Sequence, residues 1–369
     1  MDSFNKKSLY IHIPFCKQKC IYCDFNSYAN KENLFENYFI KLKSELSKII
    51  KENNGNKFNT IYIGGGTPSN VPPNYLKDIL KMLDISLETT IEVNPGTVDE
   101  EKLKIYNEIG INRLSIGLQS YNNKILKEIG RIHNTNDFEK TYNLAKKVGF
   151  KNINVDFIIG LPFQNLDDIS ITLDYIKSIN PVHISFYSLI LHDEFIYPKS
   201  FLDNIPKEEI EREMYHKICK ELKKLGYIQY EISNFARQGF ESKHNIHYWN
   251  QDEYFGIGAG ASSYINNIRY KNIDDIQDYI DLDFDKIKII EEIQDNENKL
   301  REYIILKLRL IEGFNIDDIN KKFSIDFEEN FKNEIKKLIN LDLIKKENNN
   351  YKLTTKGLDF ANIVWEEFI

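Results

Sequence analysis

Short β-branched and aromatic runs alternate with longer amphipathic stretches through the first half of the chain, the pattern of βα units around a mostly parallel sheet. Six strands are predicted, over Leu9–Ile13, Asn59–Ile63, Thr89–Val93, Arg113–Gly117, Asn152–Ile158 and His183–Tyr187. Between them, a predicted helix over Leu34–Ile50 aligns Leu34, Tyr38, Leu42, Leu46 and Ile49 on one face, and another over Phe138–Val148 runs into Gly149 as a C-cap. The connections are long enough for right-handed crossovers. After Tyr187 the regularity fades into a polar loop around His192–Pro198, a predicted helix over Lys207–Leu225, a predicted strand over Tyr227–Ser233 and a loop carrying Gly256, Gly258 and Gly260. From about Asp295 the order becomes helix, helix, helix, short hairpin, helix, the outline of a winged-helix module. The expected organisation is a barrel over residues 1–200, a bridging region over 201–290 and a C-terminal module over 291–369.

Composition narrows the class. The 369 residues are 41% hydrophobic and 28% charged, enough to fill a core and too polar for a membrane-embedded polymer. The 56 acidic and 49 basic side chains leave a net charge of −7, which argues against nucleic acid as a partner. The C-terminal module carries 13 basic and 14 acidic residues from Glu297 onward, so a packing or lid role fits it better than reading DNA. Met1–Ser8 is polar and no apolar span of about 20 residues occurs, so no targeting segment or membrane anchor is expected. Cytoplasmic location is the expectation, with peripheral membrane association left open.

The four cysteines divide unevenly: Cys16, Cys20 and Cys23 share one short loop directly after the first strand, and Cys219 lies alone on an apolar-faced helix, where it reads as a small buried hydrophobe. No disulfide framework follows, so a metal or redox site in a reducing compartment is indicated. Three thiolates leave one iron of a [4Fe–4S] cubane open to an exogenous ligand. Zinc with His12 as fourth ligand and a Cys20–Cys23 dithiol pair are the competing readings. His12 sits inside a strand, where core packing or support of the ligands suits it better.

Each predicted strand ends in residues suited to a polar cofactor, at the C-terminal edge where α/β sheets and barrels bind ligands. Gly64-Gly65-Gly66-Thr67-Pro68 offers bare backbone without the Lys-Ser/Thr of a P-loop. Glu92 precedes Val93-Asn94-Pro95-Gly96, Gln119 closes the fourth strand with Arg131 twelve residues on, Asp156 lies on the fifth, and Tyr187 and Ser188 end the sixth. Taken singly, the glycines read as turns, Arg131 as a solvated charge and Asp156 as a cap.

The run Tyr10-Ile-His-Ile-Pro-Phe-Cys16 followed by CxxxCxxC resembles the cluster motif of radical S-adenosylmethionine proteins, in particular the oxygen-independent coproporphyrinogen III oxidase-like group. The resemblance implies a partial (βα)6 TIM-like barrel with a C-terminal helical domain, a [4Fe–4S] cluster on Cys16, Cys20 and Cys23, and S-adenosylmethionine chelating the fourth iron. Reductive cleavage to a 5′-deoxyadenosyl radical is the chemistry it implies. It also implies S-adenosylmethionine contacts at Tyr10, Tyr22, Gly65, Gly66, Thr67, Glu92, Gln119, Arg131, Asp156 and Ser188. Two departures matter. The oxidases resemble CxxxCxxCxC, and Phe25 stands here at the position of the further cysteine; the stretch before the first strand is also shorter than the oxidases' N-terminal arm. His244-Asn-Ile-His-Tyr-Trp249 is similar to the HNxxYW motif of the haem-chaperone branch, which implies haem binding at His244 and delivery of haem to apo-cytochromes or similar acceptors. Without the resemblance, His244 reads as part of a structural turn and Trp249 as core. Decarboxylation of coproporphyrinogen III is the alternative function.

Overall fold

The computed structural model describes residues 7–369, so most of the short polar arm expected before the first strand lies outside the described residues. All six predicted parallel strands form: β1 (Ser8–Ile13), β2 (Thr60–Gly65), β3 (Glu88–Val93), β4 (Arg113–Gln119), β5 (Asn152–Ile159) and β6 (His183–Ser188). They pair parallel in chain order, with helices such as Phe35–Glu52, Thr135–Val148 and Leu166–Ile179 between them. Gly149 caps its helix at φ 109°, in the left-handed region glycine tolerates.

The sheet then grows past both ends of the barrel. Strands β7 (Ile228–Gln229) and β8 (Asn234–Ala236) add antiparallel beyond β6, and β9 (Tyr254–Ile257) pairs parallel with the outer edge of β1. β10 (Ser262–Ile265), β11 (Ile268–Asn272) and β12 (Lys288–Ile293) continue antiparallel from β9, giving the order β12-β11-β10-β9-β1-β2-β3-β4-β5-β6-β8-β7. Two sequence expectations change here. The glycine-rich loop is in part a seventh parallel strand: Gly256 lies in β9, where a Cβ would meet the Ser262 carbonyl oxygen at 2.1 Å, so glycine permits the close approach of β10. The predicted strand over Tyr227–Ser233 shrinks to Ile228–Gln229 because the buried Glu231 carboxylate accepts the Ser233 N–H (2.9 Å) and turns the chain locally.

Side-chain parity along the barrel strands explains where the site lies. Leu9, Ile11 and Ile13, then Ile61, Ile63, Ile91, Leu114, Ile116, Val155 and Ile184, are buried in one apolar cluster with helix residues such as Leu42 and Phe138. The alternate positions are polar: Tyr10, His12, Thr60, Tyr62, Glu88, Glu92, Arg113, Ser115, Asn154, Asp156, His183 and Ser185. Parallel strands covered on both faces are ordinarily apolar throughout. A period-two polar face on such strands therefore marks a barrel interior that must be satisfied by internal hydrogen bonds or by ligand.

The C-terminal segment has its own apolar cluster, including Leu300, Ile304, Phe314, Ile319, Phe327, Leu338 and Val364. Helices Asn296–Leu308, Ile316–Phe323 and Lys332–Asn340 precede the hairpin Ile344–Glu347/Asn350–Leu353, as the winged-helix outline expects. Among the described residues no helix is long and apolar enough to cross a membrane.

Candidate functional site

The cysteine loop is held at both ends. Phe15–Cys16 pairs with Tyr28–Ala29, and Tyr28 N–H donates to the Pro14 carbonyl (2.7 Å). His12 reaches from inside the barrel to fix the far end: its Nε2 lies 2.8 Å from the Asn26 carbonyl oxygen and its Nδ1 2.9 Å from the Tyr10 hydroxyl. Asn26 Nδ2 donates in turn to the carbonyls of Ala259 (3.2 Å) and Asp274 (2.8 Å). Burial lowers the His12 imidazole to about 4. With both ring nitrogens spent, His12 orients the loop and does not supply a fourth ligand for zinc.

Cys16, Cys20 and Cys23 line one cavity of about 400 Å³ at the C-terminal ends of β2 to β6. Tyr22, Gly65, Gly66, Thr67, Glu92, Gln119, Arg131, Asp156 and Ser188 line the same cavity, so nine sequence-predicted contacts converge with the three cysteines. A hydrogen-bonded arc ties them together. Cys16 Sγ lies 3.5 Å from Thr67 Oγ1, Asn94 Nδ2 donates to that hydroxyl (2.9 Å), and Arg131 Nη2 donates to Asn94 Oδ1 (2.9 Å) and the Gly117 carbonyl (2.7 Å). Arg131 Nη1 then reaches within 3.6 Å of Cys20 Sγ. Arg131 Nε is buried with no partner, an unsatisfied donor on a residue that lines the cavity.

The three thiols fit an iron–sulfur cluster. Burial raises the Cys16 thiol and pushes Cys23 up to about 11, so a bare thiolate is disfavoured and a metal that takes the sulfur electrons relieves the cost. A guanidinium beside Cys20 suits an anionic cluster. Among the described residues no three His, Cys, Asp or Glu side chains gather around the point one metal ion would need. A cubane spreads its thiolates over separate irons.

The glycines supply the cradle. Gly65 sits at φ 115°, and a Cβ there would lie 2.5 Å from the His12 ring; one on Gly66 would lie 2.9 Å from the Phe15 backbone. Gly65 N–H donates to Glu92 Oε2 (3.1 Å) while the Tyr62 hydroxyl donates to Oε1 (2.9 Å). Burial, reinforced by Asp156, raises the Glu92 carboxyl to about 7. Asp156 accepts from Ser115 Oγ (2.8 Å) and Asn154 Nδ2 (2.7 Å), and burial raises it too. Gln119 adopts φ 72° at a register shift between β4 and β5, a left-handed conformation uncommon for a non-glycine residue and concentrated at functional sites.

Two predicted residues stand apart from this lining. Tyr10 lines a neighbouring, more open cavity of about 620 Å³, which shares Lys19, Asp24 and Phe25 with the first. His244, 1% exposed, lines neither cavity: it lies in the helix Lys243–Trp249, with Nδ1 2.8 Å from Thr60 Oγ1 and Nε2 2.8 Å from the Tyr248 hydroxyl. Its ring packs 5.2 Å from Tyr62, burial lowers the imidazole to about 3, and the His244 backbone N–H donates to Glu88 Oε1 (3.1 Å). Both imidazole nitrogens are therefore engaged below the floor of the site. Tyr62, Asn94 and Ser115 line the cavity without having been singled out from the sequence. Inward parity on β2 and β4 carries the signal for Tyr62 and Ser115.

Residues 10–176 match the Radical SAM superfamily model and residues 294–360 the HemN C-terminal domain model. The chain is 36% identical over 371 residues to the protein of Lactococcus lactis named "Heme chaperone HemW", covering 98% of this chain and 97% of that protein. It is 35% identical over 377 residues to the protein of the same name from Bacillus subtilis, covering 98% and 99%. Among solved structures, coproporphyrinogen III oxidase (HemN) of Escherichia coli superposes with a TM-score of 0.85 at 21% identity, over 99% of this chain and 91% of that one. That likeness is one of fold.

Proposed function

Because this chain belongs to the radical S-adenosylmethionine superfamily and, within it, to the HemW family, we propose that it is a haem chaperone that binds a [4Fe–4S] cluster and S-adenosylmethionine and passes haem to acceptor haemoproteins. The observation that carries the cofactor part is the convergence of Cys16, Cys20 and Cys23 with bare glycine backbone, buried carboxylates and Arg131 around one cavity. Cys16, Cys20 and Cys23 would hold three irons. Gly65 and Gly66 would let the methionyl group approach the backbone, and Glu92 and Asp156 would accept hydrogen bonds from ammonium or ribose hydroxyl groups. Thr67 and Arg131 keep the cysteine-bearing loop and the ends of β2 to β4 in register through Asn94. A bound cluster with S-adenosylmethionine would supply reductive cleavage of the sulfonium. Phe25, 57% exposed, stands where the oxidases have a further cysteine, and the relatives that match along their whole length carry the chaperone name. Apo-cytochromes or similar proteins are the expected acceptors.

The test uses anaerobically reconstituted protein. One sample receives coproporphyrinogen III, S-adenosylmethionine and reductant, and a parallel sample is titrated with haem. Saturable haem binding without porphyrinogen turnover is expected. Protoporphyrinogen formed at a catalytic rate overturns the chaperone reading in favour of the oxidase.

A further inference from the structure

We propose that haem lies at the wall shared by the two cavities, its iron ligated by His192 Nδ1 and an anionic propionate met by Lys19. The inference rests on the haem-carrying reading above and assigns the place and the ligand.

An imidazole that ligates haem must have a free nitrogen and access to a cavity. Of seven histidines, His12 and His244 have both ring nitrogens engaged, as above. His183 is held by Asn154 (2.6 Å) and Tyr230 (2.9 Å), and His247 by Asn59 (2.7 Å) and Asp252 (2.9 Å). His133 keeps an unpartnered Nδ1, but it is 5% exposed, its Nε2 lies 3.4 Å from the Leu118 carbonyl oxygen and it borders neither cavity. His216 pairs with Asp359 of the C-terminal segment and borders neither cavity. Only His192 remains: its side chain is 31% exposed and lines the cysteine-bearing cavity.

His192 is also prepared as a metal ligand. Its Nε2 lies 3.2 Å from Asp24 Oδ2, which leaves Nδ1 as the nitrogen for a metal. A carboxylate on the far nitrogen is the support that metal-ligating imidazoles characteristically have. Asp24 comes from the cysteine loop, so the pair joins the cluster-bearing segment to the loop that follows β6.

The surroundings suit a flat apolar plate with an anionic edge. Phe195 packs 5.5 Å from the His192 ring and lines the larger cavity, and Phe25 lines both. Lys19 sits between them, 5.9 Å from the Phe195 centroid and donating to the Phe25 carbonyl (3.3 Å). Of the other charges on the larger cavity, Asp24 is engaged by His192 (3.2 Å), Lys271 is paired with Asp274 at 2.7 Å and Glu291 is acidic, so Lys19 is the cation left for an anionic edge. The mouth carries exposed apolar side chains: Ile190, 66% exposed, lines the cysteine-bearing cavity with Phe25. The larger cavity, about 620 Å³, falls within the roughly 300–1,000 Å³ range of cofactor-sized sites.

Cluster-loaded protein is titrated with haem and followed by its absorbance and electron paramagnetic resonance, with His192→Ala, Asp24→Asn and His216→Ala alongside and cluster absorbance as the check on folding. His192→Ala is expected to lose the imidazole-ligated signature and weaken haem binding by at least about 10–100-fold, the loss that disturbing even a ligand's supporting partner produces. Added imidazole should restore the signature. Asp24→Asn should shift the spectrum with a smaller loss of affinity, and His216→Ala should match the wild type. An unchanged spectrum and affinity in His192→Ala overturns the assignment while leaving the haem-carrying reading standing, and loss of the signature in His244→Ala instead moves the ligand to the barrel floor. Failure of the wild type to bind haem at all overturns both.

Discussion

The mouth of the barrel and its floor both place polar groups inside the barrel and differ in whether those groups are already satisfied. At the floor, Thr60, Glu88, Asn154, His183, Tyr230, His244 and Tyr248 bond one another or nearby backbone. At the mouth, Cys16, Cys20, Cys23, Arg131, Gly65 and Gly66 line the cavity, and Arg131 Nε has no partner. A buried polar network that closes on itself specifies structure, and one that stops at a cavity leaves capacity for a ligand. The contrast is sharpest at His244, whose ring nitrogens are bonded to Thr60 and Tyr248 and whose ring packs against Tyr62, the donor to Glu92.

The comparison is broken hardest at the cysteines. Replacing Cys16, Cys20 or Cys23 by Ala should abolish the visible absorbance of the reconstituted cluster and its stoichiometric iron, whereas Cys219→Ala, on the helix Glu208–Lys224, should leave both intact. Next comes the cradle. Gly65→Ala places a Cβ against His12 at a φ of 115°, and should cost about 1–3 kcal/mol in stability, read by thermal unfolding, together with S-adenosylmethionine binding read by calorimetry.

His244→Ala works in the opposite sense. It should leave the cluster intact while lowering stability by about 1–3 kcal/mol for each partner left unsatisfied, Thr60 and Tyr248. Because His244 is held near 3 in the fold against an ordinary value of 6.5, its contribution is complete above 6.5 and declines as pH falls towards 3. Urea unfolding across that window should show the wild type losing its advantage over His244→Ala as acid is added.

The smallest effect is electrostatic. With the Glu92 carboxyl near 7, the ionised acceptor is present above that pH and is lost below it, so S-adenosylmethionine should bind more weakly as pH falls from 8 to 6. In Glu92→Gln that part of the pH dependence should disappear.

Much of the barrel was legible because each strand repeats the same alternation, apolar towards the helices and polar inward, and each ends at a recognisable turn. The cysteines and the Gly64–Thr67 run were legible because their chemistry is local in sequence. β9 was not, since the glycine at position 256 reads as a loop and only the tight approach of Ser262 explains it. Asn94 was quoted only as part of a turn, because its role as the link between Thr67 and Arg131 depends on three strand ends meeting. The pairing of Asp24 with His192 joins a loop after β1 to one after β6 and leaves no local trace.

The central claim, that this scaffold hands on haem, is tested most directly by mixing haem-charged, cluster-loaded protein anaerobically with an apo-cytochrome and following the acceptor's Soret band. Transfer faster than from free haem at the same concentration is expected, carried by the protein itself. Transfer no faster than the free-haem control, with the haem retained or released to solvent, contradicts it.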